Sequence, residues 1–189
     1  MRTINHIAVV SVLALGSSGA AFAQTPSGGD IYVGGQAAFL VFDDSEQDDV
    51  DFDDAELIGL LARGGMYVNE HLSVEGRAGI GVGDDTVTVR PVGGGPDVDT
   101  DIELDYLVGG YLRGHLGLED ILSFYGVVGY TSAQISIENE FVSESETESG
   151  GSVGFGVDVY LGDSTILNFE FMSYYSDMNA LNIGAVYRF

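Results

Sequence analysis

Arginines and carboxylates set at alternate positions of otherwise apolar segments are the residues in this chain best placed to do chemistry. Arg63, Arg77, Arg113 and Arg188 occur this way, as do Glu75, Glu103, Asp105, Asp158 and Glu170. Residues two apart share one face of a strand, so charges spaced like this gather on one side of a sheet. Enclosed on that side they must pair, because an unpaired charge held out of water is costly. Two uses follow: a structural plug of ion pairs, or a narrow gated path for ions. In a small barrel the side chains fill the interior, which favours the plug.

Other chemistries find less to work with. His71 and His115 both fall at the short-turn ends of their segments, far from the acidic loops. A histidine-based nucleophilic site at the loop end is therefore not expected, and an enzyme ranks third among the readings. Cysteine is absent, so there is no disulfide framework or thiol metal site, and no cofactor is expected. Asp49-Val50-Asp51-Phe52-Asp53 and Asp97-Val98-Asp99-Thr100-Asp101 resemble calcium loops. Each fails the template, with Asp54 or Ile102 in place of the sixth-position Gly and Leu60 or Val108 in place of the twelfth-position Glu. Loose binding of divalent cations by clustered loop carboxylates is the remaining expectation.

The composition narrows the field further. The chain has 189 residues, enough for one domain, and a formal charge of -24 from 30 acids against six bases. All the bases are Arg. Such a chain releases no counterions from phosphates, which excludes nucleic acid as a partner. A hydrophobic content of 45% separates it from disordered acidic proteins. Residues 1–23 carry Arg2 and His6, an apolar run from Ile7 to Leu15, and Ala21-Phe22-Ala23, the pattern of an export signal cleaved after Ala23.

Positioning the charges falls to segments with a period of two, the strand signature. Leu72, Val74, Ala78 and Ile80 oppose Ser73, Glu75 and Arg77; Ile102, Leu104, Tyr106, Val108 and Leu112 oppose Glu103, Asp105, Tyr111 and Arg113. Eight segments are expected, at about 30–42, 55–68, 71–83, 101–116, 121–137, 151–161, 165–176 and 179–189, each long enough to cross hydrocarbon as a tilted strand. Tight turns near Asn69-Glu70, Gly117–Asp120 and Gly162–Ser164 alternate with long acidic loops at 43–54, 84–100 and 138–150, and a fourth connection near Asp177 is short. SESETESGGS, which runs from the last long loop into the start of the next segment, reads as a low-complexity, solvated segment. The fold class is thus all-β: an eight-stranded antiparallel up-and-down transmembrane barrel over residues 24–189, with turns on the periplasmic side. A soluble β-barrel would alternate too, with its apolar face turned inward.

DIYVGGQAAFLVF, GLLARGGMYVNEHLSVEGRAGIGVG and the ending LNIGAVYRF resemble the small outer-membrane β-barrel family that includes the OmpA-like transmembrane domain and OmpX-like proteins. The resemblance implies the outer membrane of a Gram-negative bacterium, contact with lipid and lipopolysaccharide, and passage through periplasmic chaperones and the barrel-assembly machinery. It also implies that Phe189 and Tyr187, with Ala185 and Ile183, form the signal which that machinery reads. No wall-anchoring role is expected from residues 1–189. Trp is absent, so an aromatic girdle must come from Tyr and Phe. The leading expectation is a structural or surface-interaction protein working through acidic extracellular loops; the alternative is a low-conductance, cation-preferring channel.

Overall fold

Leu, Ile, Val and Phe at one parity, with Gly, Tyr and polar groups at the other, make each segment a pleated strand with two unlike faces. The computed structural model describes residues 26–42, 56–82, 85–89, 98–119, 121–138, 143–175 and 178–189. Its strands are β1 (Ile31–Phe42), β2 (Glu56–Asn69), β3 (Leu72–Gly81), β4 (Asp85–Val89), β5 (Val98–Glu119), β6 (Leu122–Glu138), β7 (Ser143–Leu161), β8 (Thr165–Tyr174) and β9 (Met178–Arg188). The first strand pairs with both β2 and β9, and β3 pairs with β5. Eight antiparallel strands therefore close on themselves, with β4 outside the ring as a hairpin partner of β5 from Asp85↔Ile102 to Val89↔Val98. Closure leaves the barrel wall no unpaired edge.

The eight expected segments are the eight barrel strands, but two are longer than their alternation indicated. β5 starts at Val98 and β7 at Ser143, inside stretches expected to be loops. SESETESG is not a loop: it pairs with β6 from Ser143↔Glu138 to Gly150↔Thr131. Its Ser, Thr and Glu have no apolar face to bury, and the backbone ladder to β6 is what keeps it extended. The export signal, the acidic stretch 43–54 and most of the second acidic stretch lie outside the described residues.

Polarity separates the membrane barrel from the soluble one. Leu60, Ile80, Val108, Leu112, Phe155 and Leu181 stand on the outer wall, roughly half exposed, while Arg63, Arg77 and Arg113 point inward and are buried. Water would not tolerate so broad an apolar belt, and lipid requires it. Phe124, Tyr187 and Phe189 lie on the outer wall toward the turn end, and Tyr106 and Tyr130 toward the loop end. Tyr32, Tyr67, Tyr111, Tyr125, Tyr160 and Tyr174 are buried inside instead, so most of the ten tyrosines fill the lumen, and Tyr106, Tyr130 and Tyr187 share the girdle with Phe.

Bulky inward rings need bare backbone beside them. A Cβ on Gly156 would come 2.5 Å from the Tyr125 ring and 2.5 Å from the Phe169 carbonyl oxygen. Gly156→Ala is expected to destabilise the barrel by about 1–3 kcal/mol, the usual cost of overpacking. A lower urea midpoint for the form that migrates as folded on unboiled gels would show it. An unchanged midpoint would mean that Tyr125 has another rotamer available.

Candidate functional site

Every barrel strand sends at least one polar group to a single layer at mid-height in the lumen. Arg63 on β2 donates from Nε and Nη2 to Glu75 Oε2 on β3 (3.1 and 2.5 Å), and from Nη1 to Gln36 Oε1 on β1 (3.0 Å). Arg77 donates from Nε to Glu75 Oε1 (2.6 Å) and reaches across the lumen to Glu170 on β8, with Nη1 and Nη2 donating to its two oxygens (2.5 and 2.8 Å). Arg113 on β5 donates from Nη2 to both oxygens of Asp158 on β7 (3.1 and 3.0 Å) and stands 3.5 Å from Glu75. Tyr125 on β6 and Asn182 on β9 donate to Glu170 (3.1 and 3.0 Å), and Tyr32 on β1 donates to Glu75 (2.7 Å). Three guanidinium groups thus meet three carboxylates, with side chains 0–3% exposed. Arg113 lies over the Tyr125 ring at 3.8 Å and Arg77 over the Tyr111 ring at 4.5 Å, so aromatic faces cover the cations where carboxylates do not.

This layer is bounded above and below. Toward the turns, Tyr32, Tyr67, Tyr160, Ile166 and Val186 pack together. Toward the loops, Leu40, Leu57, Leu61, Leu104, Leu107 and Met172 form an apolar core, each 0–3% exposed. The loop-end half of the lumen is thus apolar and not polar. Leu57 and Leu61 share the inward parity of β2 with Arg63, so one face of one strand is apolar at the loop end and charged at mid-height.

Glu103 and Asp105 do not belong to the interior. The β5–β6 register shifts between Leu104 and Tyr106, so Leu104 and Leu107 both face inward although they are three residues apart. Glu103 is exposed, and half-buried Asp105 accepts hydrogen bonds from Gln134 Nε2 (2.8 Å) and Ser136 Oγ (2.7 Å) on the outer face. Strict alternation cannot place residues beyond a bulge, because the extra residue reverses every face past it. The spacing of Leu104 and Leu107 is the one trace of it in the sequence.

Arg188 is also apart from the network. It sits at the turn end, donating from Nη2 to the Asp163 carbonyl (2.6 Å), with Nε 3.9 Å from Asp30. Tyr187 and Phe189 lie on the outer face of the wall, edge to face with centroids 5.0 Å apart. His71 is exposed beside Glu70, whereas His115 is buried with Nε2 2.9 Å from Ser73 Oγ. Asp158 completes a Ser–His–acid order, yet His115 Nδ1 is 3.9 Å from it, beyond hydrogen-bond reach, and Ser73 is fully buried. A nucleophile needs an oriented base and an approachable carbonyl, and this trio supplies neither. Among the described residues no group of three or more acidic, His or Cys side chains is arranged to hold a metal.

A family model described as outer membrane protein beta-barrel domain matches residues 8–189. Among solved structures, the chain resembles Ail, the attachment invasion locus protein of Yersinia pestis (15% identity, 86% of this chain and 99% of that one, TM-score 0.58). It also resembles Neisserial surface protein A (14% identity, 85% and 99%, TM-score 0.59). A third likeness is the outer membrane protein OprG from Pseudomonas aeruginosa (16% identity, 88% and 99%, TM-score 0.58). At these identities the likeness is one of fold. No curated protein sequence matches the chain.

Proposed function

The chain belongs to the outer membrane protein β-barrel domain family, and from that premise we propose that it is a closed anchor presenting an acidic surface outside the cell. Its place is the outer membrane of a Gram-negative bacterium, where the short turns face the periplasm and the extended β5–β7 end faces outward. The observation that carries the closed-anchor reading is the apolar core of Leu40, Leu57, Leu61, Leu104, Leu107 and Met172 stacked on the charge layer. An ion on the barrel axis would have to leave water beside these leucines before it met a charge, and each charge it then met is already paired. The network's role is structural: it ties strands distant in sequence, as Arg77 and Glu170 do across 93 residues.

Interaction is left to the extracellular end, where carboxylates are concentrated and neighbouring lipopolysaccharide phosphates call for bridging divalent cations. Removal of residues 1–23 on export, escort by periplasmic chaperones, and reading of Tyr187 and Phe189 by the assembly machinery complete the proposal. Exposure of both rings on the outer face of the last strand supports the final step.

Planar-bilayer recording from refolded protein tests the anchor against the channel. The expected record is flat, with no discrete steps, for samples that pass the gel test of folding. Cation-selective steps that disappear in Arg113→Met would overturn the anchor and establish the low-conductance channel in its place.

A further inference from the structure

Above the apolar belt the outer wall of β5, β6 and β7 turns polar in an ordered way. Its rows run Glu103–Ser136–Ser145, then Tyr106–Gln134–Thr147, then Val108–Ser132–Ser149, then Gly110–Tyr130–Gly151. Asp105 accepts from Gln134 and Ser136; Ser136 and Ser145 hydroxyls meet at 2.9 Å; Thr147 donates to Gln134 Oε1 at 3.4 Å; and Tyr130 donates to Ser149 at 3.2 Å. Below this grid stands Tyr130, 60% exposed, with Gly110 and Gly151 on the flanking strands. A Cβ on either glycine would meet nothing within 4 Å, so neither directly opposed position carries a side chain that covers the tyrosine ring.

We propose that this face binds the uncharged sugar head group of an outer-leaflet glycolipid. Three features select that chemistry. A bare aromatic ring accepts the apolar C–H face of a sugar and still offers a polar tip. Hydroxyls, a planar amide and two carboxylates match adjacent sugar hydroxyls, which both donate and accept. Cross-bonding holds these side chains in place beforehand, so little conformational freedom is lost on binding. Charge argues against direct contact with phosphate: the described residues of this face include Glu103 and Asp105 and no Arg or Lys. The lipid source follows from height, since the grid sits on the membrane-facing wall directly above the belt, at the level of the head groups. The inference rests on the outward orientation of β5–β7 proposed above.

Vesicles of phosphatidylcholine containing digalactosyl diacylglycerol, or instead phosphatidylglycerol, supply the test, read by the thermal midpoint of the folded band. The galactolipid, saturating the site at about a hundred times its Kd, is expected to raise the midpoint by about 5 °C. Phosphatidylglycerol is expected to leave it unchanged, and Tyr130→Leu and Gln134→Ala to abolish the galactolipid shift. Tyr130→Leu keeps an apolar side chain on the belt, so a folded variant is available even if Gln134→Ala fails to fold. An equal or larger shift with phosphatidylglycerol, or a galactolipid shift that survives in Tyr130→Leu, would overturn the proposal. So would an equal shift from soluble galactobiose at the same sugar concentration, which would remove the lipid from it. Conductance is measured separately, so failure here leaves the closed-anchor reading standing.

Discussion

Arg77→Met is expected to cost the barrel about 3–5 kcal/mol, the largest effect of any single interior substitution. Arg77 serves two acids at once, Glu75 on its own strand and Glu170 across the lumen, and all three side chains are fully buried. Without it, Glu75 keeps Arg63 and Arg113 as partners. Among the described residues Glu170 keeps hydrogen bonds only from Tyr125 and Asn182, both neutral donors. The cost therefore comes mainly from a stranded carboxylate, and it should be relieved when that charge is removed as well. Arg77→Met combined with Glu170→Gln is expected to recover a large part of the loss in urea titrations of the membrane-inserted protein. If the double variant is no more stable than the single one, the damage is a packing defect and the charge argument fails.

Leu112→Arg is expected to destabilise by about 2–4 kcal/mol, whereas Glu103→Arg, on the same strand, should change stability by less than about 0.5 kcal/mol. Leu112 is 49% exposed on the lipid-facing wall, one residue from Arg113, which points the other way. An arginine there must carry its charge into hydrocarbon with no carboxylate in reach. Glu103 lies beyond the bulge on the water-exposed side of the extension, where either sign of charge is solvated. Comparing the two in one refolding series tests the bulge directly: strict alternation puts Glu103 inside, and its reversal would then be as damaging as a break in the charge layer. Equal and large losses from both substitutions would favour unbroken alternation through Asp105.

Alternation reached as far as it did for a physical reason. A strand that faces lipid on one side and a packed lumen on the other must keep its two parities chemically distinct. Arg63, Arg77 and Arg113 therefore declare the inward parity, and Leu72, Val74 and Leu112 the outward one, with no knowledge of any partner strand. Where both parities are apolar, as from Leu57 to Leu61, the signal fades, and alternation does not mark the loop-end core of the lumen. Where both are polar, as in SESETES, it vanishes and a paired strand resembles a loop. The bulge at Asp105 defeated it differently, by reversing the phase within an otherwise regular segment.

Fold class, the eight strands of the ring, the lipid-facing parity of each up to the bulge in β5, and the confinement of Arg63, Arg77 and Arg113 to the interior were determined by the sequence alone, since each follows from the transfer cost of one side chain at one parity; the hairpin strand β4 was not. Which acid each arginine meets was decided only by the tertiary structure. Closing eight strands fixes their stagger, and that stagger sets Arg77 opposite Glu170 and Arg113 opposite Asp158 while leaving Arg188 at the mouth. The same closure put leucines over the charges, and pairing among β5, β6 and β7 carried these strands past the apolar belt. Contacts between strands far apart in the chain depend on shear and on bulges, and neither is written in the period of any single strand.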